Sequence, residues 1–389
     1  MITVEEALSH LFNLAKPVGT ERVGLSDAAG RVLVEDATAL RDQPPFSASA
    51  MDGYAVAGPV AGGESYTVIG EAAAGTAYAG EVKSGQAVRI FTGAPVPQGC
   101  DTVVIQEDVT RSGDDITVTG NHRGTNIRPA GGDFKIGHAL KAPRRLTPSD
   151  VALLASMNIP EVTVARKPDV AVISTGNELV MPGETPGPDQ IIASNTFGLK
   201  ALLDANGART RILPIARDTE ASLRQVFDLA KGADLVVTIG GASVGDHDLV
   251  GKVAADLGME QSFYKIAMRP GKPLMAGKMA EAMMVGLPGN PVSAMVCGHI
   301  FLLPVIDAML GLPSQRRPLR TATLAAPIGA NGPREHYMRA RVDNGMISAY
   351  ERQDSALLTV LADANALLMR PMNDAAQDAG TKAFYLPLD

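Results

Sequence analysis

The sequence has 389 residues, which is more than one ordinary domain and predicts roughly two to four of them. Apolar residues make up 46% and charged residues 20%, so the composition is that of a folded globular protein and excludes a disordered one. The formal charge of −7 and the pI near 5.5 exclude the broad basic surface with which proteins bind nucleic acid nonspecifically. An anionic ligand would need a local cluster of cations.

The cysteines and the N-terminus indicate the compartment. Cys100 and Cys297 are far apart and have no CxxC or Cys/His spacing, so neither a disulfide framework nor a zinc site is predicted. Glu5 and Glu6 stand where a secretory signal would carry positive charge. We therefore expect a cytoplasmic protein.

The first predicted element is an amphipathic helix. Thr3 and Glu6 form a capping-box pattern, and apolar residues follow at helical spacing. The most apolar later stretch, residues 296–312, is interrupted by a histidine, a proline and an aspartate. We expect this stretch to fall short of a membrane span, and no contact with a membrane is predicted.

The region from Arg41 to about Leu140 is predicted to be a small β domain. Its short β-rich runs, such as YTVIG and DTVVIQ, are separated by Gly, Pro and Asn. A second helix start follows, with Thr147 as N-cap and Pro148 in the first helical position. The β region is thus expected to be inserted between two helical pieces.

Strands and helices alternate beyond Lys167, which predicts a parallel sheet covered by helices. The runs VAVIS, LVVTI and MMVGL are continuously apolar, as expected for strands buried on both faces. After Pro313 the helical patterns end, and short β runs predict a final β module.

Three glycine-containing loops follow strong strand patterns of this α/β region. Ligands of such sheets bind beyond the carboxyl ends of the strands, and glycine lets the backbone approach a phosphate. The candidate binding residues are Thr175, Gly176 and Glu178 in the first loop, Gly240, Gly241, Ser243, Gly245, Asp246 and Asp248 in the second, and Pro288, Gly289, Asn290 and Ser293 in the third. One such loop is as often structural, but three together indicate a phosphate ligand. None matches GxGxxG or GxxxxGK[ST], which disfavours a dinucleotide fold and a P-loop NTPase.

A cationic turn lies between the second and third loops. Lys265, Arg269 and Lys272 fall within nine consecutive residues, 265–273. By itself this pattern is equally typical of a solvated strand end. Beside phosphate-binding loops it favours an anion site.

The β region carries a second polar cluster, with Asp52, Thr92 and Asp133 beside small residues. Taken singly, Asp52 and Asp133 are more typical of turn caps than of catalysts. The combination of hard oxygen ligands is what a Mg²⁺ ion bridging phosphate oxygens would need. The candidate metal ligands are Asp52, Glu178, Asp246 and Asp248, whereas His247 is interpreted as a bystander.

Seven motifs in one order resemble the molybdopterin molybdenumtransferase family, which includes MoeA and the gephyrin E domain. They are PPFSASAMDGYAV, FTGAPVPQGCDTVV, NIRPAGGDFKIG, STGNEL, GGASVGDHD, KIAMRPGKP and GLPGNPVSA. The resemblance runs over nearly the whole chain, although the last 70 or so residues add only a compatible length and β character.

The resemblance implies a multidomain α/β and β fold in four parts. These are a helical and β lobe (1–45 plus 140–166), an inserted β domain (46–139), a central doubly wound, mostly parallel α/β domain that binds molybdopterin (167–315), and a C-terminal β barrel (316–389). It also implies a homodimer, in which the central domain of one subunit faces the inserted domain of the other. The two clusters would then meet across subunits.

The resemblance further implies the reaction: molybdate and molybdopterin-AMP are the substrates, molybdenum cofactor and AMP are the products, and Mg²⁺ assists. By the same resemblance, Lys265, Arg269 and Lys272 hold molybdate or phosphate, Thr92 and Ser293 donate hydrogen bonds, and Asp52, Glu178 and Asp248 bind metal or position the attacking oxygen. A molybdopterin adenylyltransferase and apo-molybdoenzymes are the candidate macromolecular partners.

Some positions depart from the commonest family pattern. Asn177 stands where Asp is frequent, Gly132 where Glu is frequent, and Ala242 where Val is frequent. Asn177 keeps the shape of Asp and loses its charge, so the metal role is assigned to Glu178. The missing carboxylate at Gly132 leaves the role of Asp133 open.

Two other functions compete with molybdenum insertion. The related adenylyltransferase shares the GGxSVG and PGNP-type loops but lacks the inserted β domain that carries MDGYAV and TGAPVP here. A molybdopterin-binding scaffold, or a catalytically impaired paralogue, would use the same fold without turnover. The retained motifs favour the enzyme.

Overall fold

The computed structural model describes residues 1–120, 122–241 and 249–388. The chain divides into two compact units. The larger unit comprises Met1–Glu21, Gly30–Val34 and Val164–Asp389, and the smaller unit comprises Arg22–Ala29 and Glu35–Thr163. The predicted limits of the four domains remain a prediction.

The described residues form eight α-helices and 28 strands. The helices are α1 (Val4–Leu14), α2 (Pro148–Ser156), α3 (Asn195–Ala205), α4 (Glu220–Leu229), α5 (Leu249–Asp256), α6 (Pro291–Cys297), α7 (Leu303–Met309) and α8 (Leu358–Asp363). The strands are β1 (Thr20–Gly24), β2 (Val32–Leu33), β3 (Ala37–Thr38), β4 (Ala48–Ser49), β5 (Gly53–Val56), β6 (Ser65–Ala72), β7 (Gln86–Ile90), β8 (Thr102–Ile105), β9 (Val109–Ser112), β10 (Asp115–Val118), β11 (Ile127–Arg128), β12 (Ala139–Leu140), β13 (Arg144–Arg145), β14 (Glu161–Ala165), β15 (Asp169–Ser174), β16 (Leu179–Val180), β17 (Ile191–Ile192), β18 (Arg209–Ile212), β19 (Leu235–Ile239), β20 (Met259–Tyr264), β21 (Met268–Arg269), β22 (Met275–Met279), β23 (Ala282–Leu287), β24 (Arg320–Leu324), β25 (Glu335–Asp343), β26 (Met346–Ala349), β27 (Ala366–Arg370) and β28 (Lys382–Pro387).

Both predicted capping boxes are present. The Glu6 amide donates to the Thr3 hydroxyl at 3.1 Å, and the Thr3 amide donates to the Glu6 carboxylate at 2.7 Å. Thr147 and Asp150 make the same reciprocal pair at the start of α2, with Pro148 in the first turn. These bonds satisfy amides that a helix start leaves without partners, which is why the sequence pattern located both helices.

The centre of the larger unit is a six-stranded sheet in the order β18-β15-β19-β23-β22-β20. The first four strands are parallel, and β22 and β20 are antiparallel. Alternate residues of β15 belong to different cores: Val170 and Val172 pack in the cluster that contains α1, α3 and α6, whereas Ala171 and Ile173 pack in the cluster that contains α4 and α5. Helices therefore cover both faces, which confirms the doubly wound, mostly parallel fold.

A continuous helical run joins α6 and α7 through a π-helical turn, Gly298–Leu302. The sequence analysis expected the stretch from 296 to fall short of a membrane span, but the run begins earlier. Over Pro291–Met309, 19 residues, it is long and apolar enough by length and composition alone, and it is the one such helix among the described residues. Its most apolar window is 83% buried inside the protein, which is typical of a core helix.

The last strands close into a small barrel, as the resemblance implied. The order β25-β26-β24-β28-β27 returns to its start because β27 also pairs with β25. Ala340, Ile347 and Leu368 fill its interior. Two arginines are also fully buried, Arg339 at 0% exposure and Arg370 at 2%. Arg370 is satisfied, since it donates to Asp374 and to the carbonyls of Gly329 and Ala375.

The smaller unit contains the predicted β domain, a six-stranded sheet in the order β8-β5-β7-β6-β10-β9. The strands β5 and β8 approach so closely that a Cβ built on Gly53 would lie 2.0 Å from the carbonyl oxygen of Val104. Only glycine fits at this position.

We expect Gly53→Ala to destabilise the protein by about 1–3 kcal/mol, because the added methyl must push two paired strands apart. Gly62→Ala is the matched control in the same unit, since a Cβ there meets only the Gly120 carbonyl at an ordinary 3.5 Å. Denaturant unfolding monitored by circular dichroism measures both variants. Equal stability of the two would contradict the steric argument.

Candidate active site

A cavity of about 890 Å³ lies at the carboxyl ends of β15, β19 and β23, where an α/β sheet collects loops. Its walls are Ser174, Thr175, Gly176, Glu178 and Leu179 from the first loop region, Ile239, Gly240 and Gly241 from the second, Pro288, Gly289, Asn290 and Pro291 from the third, and Ile191, Ile192, Ala193, Ser194, Asn195, Asp218, Leu249, Pro273 and Ala356 from elsewhere in the larger unit. The three loops predicted separately are thus brought together.

The glycines of this cavity allow backbone segments to touch. Gly240 has φ +91°, and a Cβ on it would lie 2.8 Å from the carbonyl oxygen of Thr175. On the other side, a Cβ on Gly289 would come within 3.5 Å of the Cα of Gly240. Gly240 therefore serves the packing of the three loops against one another.

The first loop is held by residues that the sequence analysis missed. One nitrogen of the Arg217 guanidinium, Nη1, lies 3.4, 3.2 and 2.9 Å from the carbonyl oxygens of Gly176, Asn177 and Leu179. Asn177 and Asp218 exchange two further bonds: each backbone amide donates to the side chain of the other, at 3.2 and 3.1 Å. These contacts fix the backbone on both sides of Glu178, whose carboxylate lines the cavity.

A rule used for the other loops could have found Arg217 and Asp218. Both come soon after β18, which is parallel to β15 and adjacent to it. The carboxyl end of β18 therefore lies at the same edge of the sheet as the three loops. The loop after β18 was not among the loops considered from the sequence.

The third loop is arranged largely as predicted. Asn290 occupies the N-cap position of α6 and Pro291 the first turn, but the Asn290 side chain makes no capping hydrogen bond. The Asn195 amide donates to the Gly289 carbonyl at 2.8 Å, which ties α3 to this loop. Ser293 is 3% exposed and is not among the residues of the cavity wall, and its predicted hydrogen bond to a ligand remains a prediction.

The second loop is described only as far as Gly241. The predicted residues Ser243, Gly245, Asp246 and Asp248, together with Ala242 and His247, lie outside the described residues. Their roles remain predictions.

The cationic turn adjoins the cavity through Pro273, whereas Lys265, Arg269 and Lys272 are not among the residues of the cavity wall. Arg269 belongs to β21, which pairs with β25 so that Arg269 lies opposite His336. The ammonium of Lys265 lies 5.0 Å from the centre of the Tyr264 ring. The turn is therefore anchored to the barrel as well as to the α/β sheet.

The buried Arg339 of β25 is a further cation that the sequence analysis missed. Its Nη2 donates to the carbonyls of Arg352 and Asp354 at 3.2 and 2.9 Å, while Nε and Nη1 have no hydrogen-bond partner among the described residues. Unsatisfied buried nitrogens of this kind are costly and call for an explanation. The segment that Arg339 supports leads to Ala356, a residue of the cavity wall.

His336, also on β25, lies near several arginines whose charges affect its pKa. Burial, and after it the positive charges of nearby arginines that include Arg269 and Arg339, lower the pKa of His336 to about 4. The imidazole is therefore neutral at pH 7, and the region around β21 and β25 is electropositive. The burial of Arg339 could have been predicted from the sequence, because side chains two residues apart in a strand point to the same face, and Tyr337 is buried on that face of β25.

In the smaller unit, Asp52 and Thr92 are brought into contact. The amide and the hydroxyl of Thr92 both donate to the Asp52 carboxylate at 2.7 Å. These bonds, the amide first, hold the pKa of Asp52 below its usual value, and Arg89 contributes in the same direction. The Arg89 guanidinium lies 5.1 Å from the Tyr54 ring centre and 4.8 Å from that of Phe91, so it is fixed beside the MDGY segment.

Asp133 belongs to a separate turn of the smaller unit. Its amide donates to the Gln43 carbonyl at 2.9 Å, and no hydrogen bond between described residues links it to Asp52 or Thr92. Its predicted role in substrate binding is untested.

The predicted metal set is only partly described. No group of three or more His, Cys, Asp or Glu side chains that could hold a metal ion occurs in the described part of the chain. Glu178 and Asp218 nevertheless offer carboxylate oxygens at the cavity wall, which is the donor chemistry that Mg²⁺ prefers.

Comparison with known proteins agrees with this geometry. Three family models match consecutive parts of the chain: "MoeA N-terminal region (domain I and II)" over residues 2–158, "Probable molybdopterin binding domain" over 171–308, and "MoeA C-terminal region (domain IV)" over 321–388. The middle match contains the three loops of the cavity.

Curated relatives match over most of their length. The chain is 39% identical to the molybdopterin molybdenumtransferase of Haemophilus influenzae over 84% of this chain and 82% of the relative. It is 33% identical to that of Nostoc sp. over 100% of this chain and 94% of the relative. A crystal structure of a molybdopterin biosynthesis MoeA protein from Pyrococcus horikoshii superposes with a TM-score of 0.86 at 27% identity, over 99% of both chains.

The fold and the site together define a multidomain transferase of molybdenum cofactor biosynthesis with a central molybdopterin-binding domain. The chain belongs to the molybdopterin molybdenumtransferase family. The family predicted from the seven motifs is confirmed.

We expect Arg217→Ala to loosen the first loop, because three carbonyls lose their shared donor. Amide hydrogen exchange in residues 176–180 should quicken by about 5- to 10-fold, the equivalent of roughly one net hydrogen bond. Arg224→Ala is the control, since Arg224 makes surface ion pairs with Glu220 of its own helix and with Asp256 of α5, away from the first loop. Unchanged exchange in the loop would show that Arg217 does not hold it.

We expect Thr92→Val to raise the pKa of Asp52, because one of its two Thr92 donors is lost. The value should stay below the ordinary 3.8, since the Thr92 amide remains. A carboxylate whose pKa is lower in the folded than in the unfolded state stabilises the fold at pH values above its unfolded pKa, and this contribution is lost as the pH falls through its folded pKa. The difference in stability between wild type and Thr92→Val should therefore shrink in acid.

Carboxyl NMR titration measures this shift directly. Thr67→Val, which removes the hydroxyl bonded to Asp115, is the control and should leave Asp52 unchanged. An Asp52 pKa that does not respond to Thr92→Val would refute the assignment.

Proposed function

We propose that the protein transfers molybdenum from molybdate into molybdopterin-AMP and releases AMP, forming molybdenum cofactor. The supporting observation is the cavity at the carboxyl ends of β15, β19 and β23, which is built from three touching loops inside the region matched as a molybdopterin binding domain. Its volume of about 890 Å³ falls within the range of about 300–1,000 Å³ typical of small-molecule sites.

The phosphates of the substrate would bind at the glycine-rich backbone of the loops. The start of the helical run at Pro291 adds a favourable dipole for an anion, and the Asn290 side chain makes no bond to its own helix. Backbone amides and an uncommitted carboxamide can both donate hydrogen bonds to phosphate oxygens. Residues 288–290 therefore suit the phosphate end of the nucleotide.

Molybdate would be attracted by the cations Lys265, Arg269 and Lys272. The buried Arg339 would add to their positive charge. Arg269 and Arg339 both act on the buried His336, which supports their lying close to one another. Arg339 keeps two nitrogens without partners, so an anion nearby would relieve part of the cost of its burial. A doubly charged oxyanion fits such a cluster.

The predicted Mg²⁺ fits the donor set at the first loop. Glu178 would hold it, together with the predicted Asp246 and Asp248, and Asp52 would contribute from the smaller unit's cluster. When bound, the ion neutralises phosphate charge. Glu178 is oriented for such a role by the bonds that Arg217 and Asp218 make to its loop.

We further propose that the protein is a cytoplasmic homodimer in which the smaller unit's Asp52 cluster completes the site of the other subunit. The two clusters belong to different compact units of the chain. A scaffold without turnover, the alternative reading, would not require Glu178 and Asp52 to keep their carboxylates.

The decisive experiment is AMP release from molybdopterin-AMP by the purified protein, with and without molybdate and Mg²⁺. We expect release that requires both, and a loss of at least about 100-fold in Glu178→Gln and Asp52→Asn, as is typical when a catalytic electrostatic group is removed. Glu184→Gln is the control, because its carboxylate only accepts the amide of Met181. Tight binding without turnover would support the scaffold instead.

Mixing the two inactive variants tests the composite site. If each site takes Asp52 from one subunit and Glu178 from the other, random reassortment should restore about a quarter of wild-type activity, because half of the dimers regain one intact site. Sites within single subunits would give no recovery.

A further inference from the structure

A second cavity, of about 450 Å³, lies in the larger unit between α3, α6 and α8. Its wall is mostly apolar, with Met295, Leu358 and Leu361 among its residues, and none of the described residues that line it is an acid, a lysine or an arginine. Its volume is sufficient for a small ring system.

This second cavity shares part of its wall with the first. Ser194 and Asn195 at the start of α3 line both cavities. The Asn195 amide is bonded to the Gly289 carbonyl of the third loop, so the shared wall is attached to the loop that we assign to phosphate binding. A ligand held at that loop could extend into the second cavity past Asn195.

One polar side chain in the second cavity is available to a ligand. His299, on the π-helical turn, makes no hydrogen bond to any residue that the structure describes. Burial lowers its pKa to about 4, so at pH 7 the ring carries one N–H donor and one lone-pair acceptor. π-Helical turns occur frequently at functional sites.

The remaining lining suits an aromatic ring. The flexible thioether of Met295 packs well against aromatic edges, and leucines from α8 supply an apolar face. The first cavity, by contrast, carries the carboxylates of Glu178 and Asp218, which suit hydroxyls and metal-bridged phosphates. The two cavities thus differ in the chemistry that they would accept.

We propose that the second cavity binds the pterin ring of the substrate, with His299 hydrogen-bonded to its edge, while the first cavity holds the phosphate and nucleotide. This inference rests on the proposed function, since it divides the same substrate between the two cavities. It makes His299 a specificity residue for the heterocycle.

The test measures binding of 6-hydroxymethylpterin by fluorescence titration and of AMP by calorimetry, using the full-length protein. Ala362→Trp places an indole in the second cavity from an exposed position on α8, and we expect it to weaken pterin binding by at least about 10-fold while AMP binding stays unchanged. Thr359→Trp is the matched control: it lies on the same helix, is exposed, and does not line the cavity.

His299 is tested by a pair of variants. His299→Leu should weaken pterin binding by about 5- to 10-fold, whereas His299→Gln, which keeps a donor and an acceptor, should recover most of it. Thermal unfolding of each variant confirms that it is folded.

The outcomes separate this inference from the proposed function. If the wild type releases AMP in the molybdate- and Mg²⁺-dependent reaction but Ala362→Trp and Thr359→Trp bind pterin equally, the second cavity is not the pterin site and the proposed function stands. If Ala362→Trp weakens AMP and not pterin, the cavity holds the adenine and the inference is overturned. Pterin binding at this cavity without AMP release would leave the binding assignment supported and the proposed reaction refuted.

Discussion

The structure depends on a close backbone contact at the carboxyl ends of the central strands. Gly240, at the end of β19, lies against the Thr175 carbonyl of the neighbouring loop, and Gly289 packs on its other side. Because β15, β19 and β23 are parallel neighbours in full register, their loops leave the sheet at the same edge. A side chain at Gly240 would collide with the Thr175 carbonyl. The cavity exists because this edge can pack backbone against backbone.

The first loop of the cavity is fixed by Arg217 and Asn177, which do not line the cavity, and by Asp218, which does. Arg217 bonds three carbonyls of the first loop, and Asn177 exchanges amide bonds with Asp218. Asn177, one of the departures from the common family pattern, therefore has a defined structural task that needs an acceptor oxygen but no charge. An aspartate there would place a second carboxylate next to Asp218, so the neutral side chain avoids repulsion between two carboxylates.

Arg339, on the barrel strand β25, is a buried cation whose hydrogen-bond donors are only partly paired among the described residues. A buried arginine with two nitrogens that have no partner among the described residues costs stability. The charge of Asp354 and the two carbonyls that accept from Nη2 offset part of that cost. Arg370, equally buried, is bonded on all sides by Asp374 and two carbonyls. Each guanidinium nitrogen of Arg370 is thus bonded within the barrel, whereas two nitrogens of Arg339 have no partner among the described residues.

Elements whose interactions are local could be predicted from the amino-acid sequence. These were the capping boxes at Thr3 and Thr147, the continuously apolar strands, the glycine loops and the family, because each depends on residues close together in the chain. Which side chains come close to one another across the molecule depended on the fold. Arg217 reaches the first loop from the end of another strand, Arg269 lies opposite His336 because β21 pairs with β25, and His299 and Asn195 line one cavity. Such contacts join residues far apart in the chain, and their geometry follows from the packing of whole elements, which no local pattern encodes.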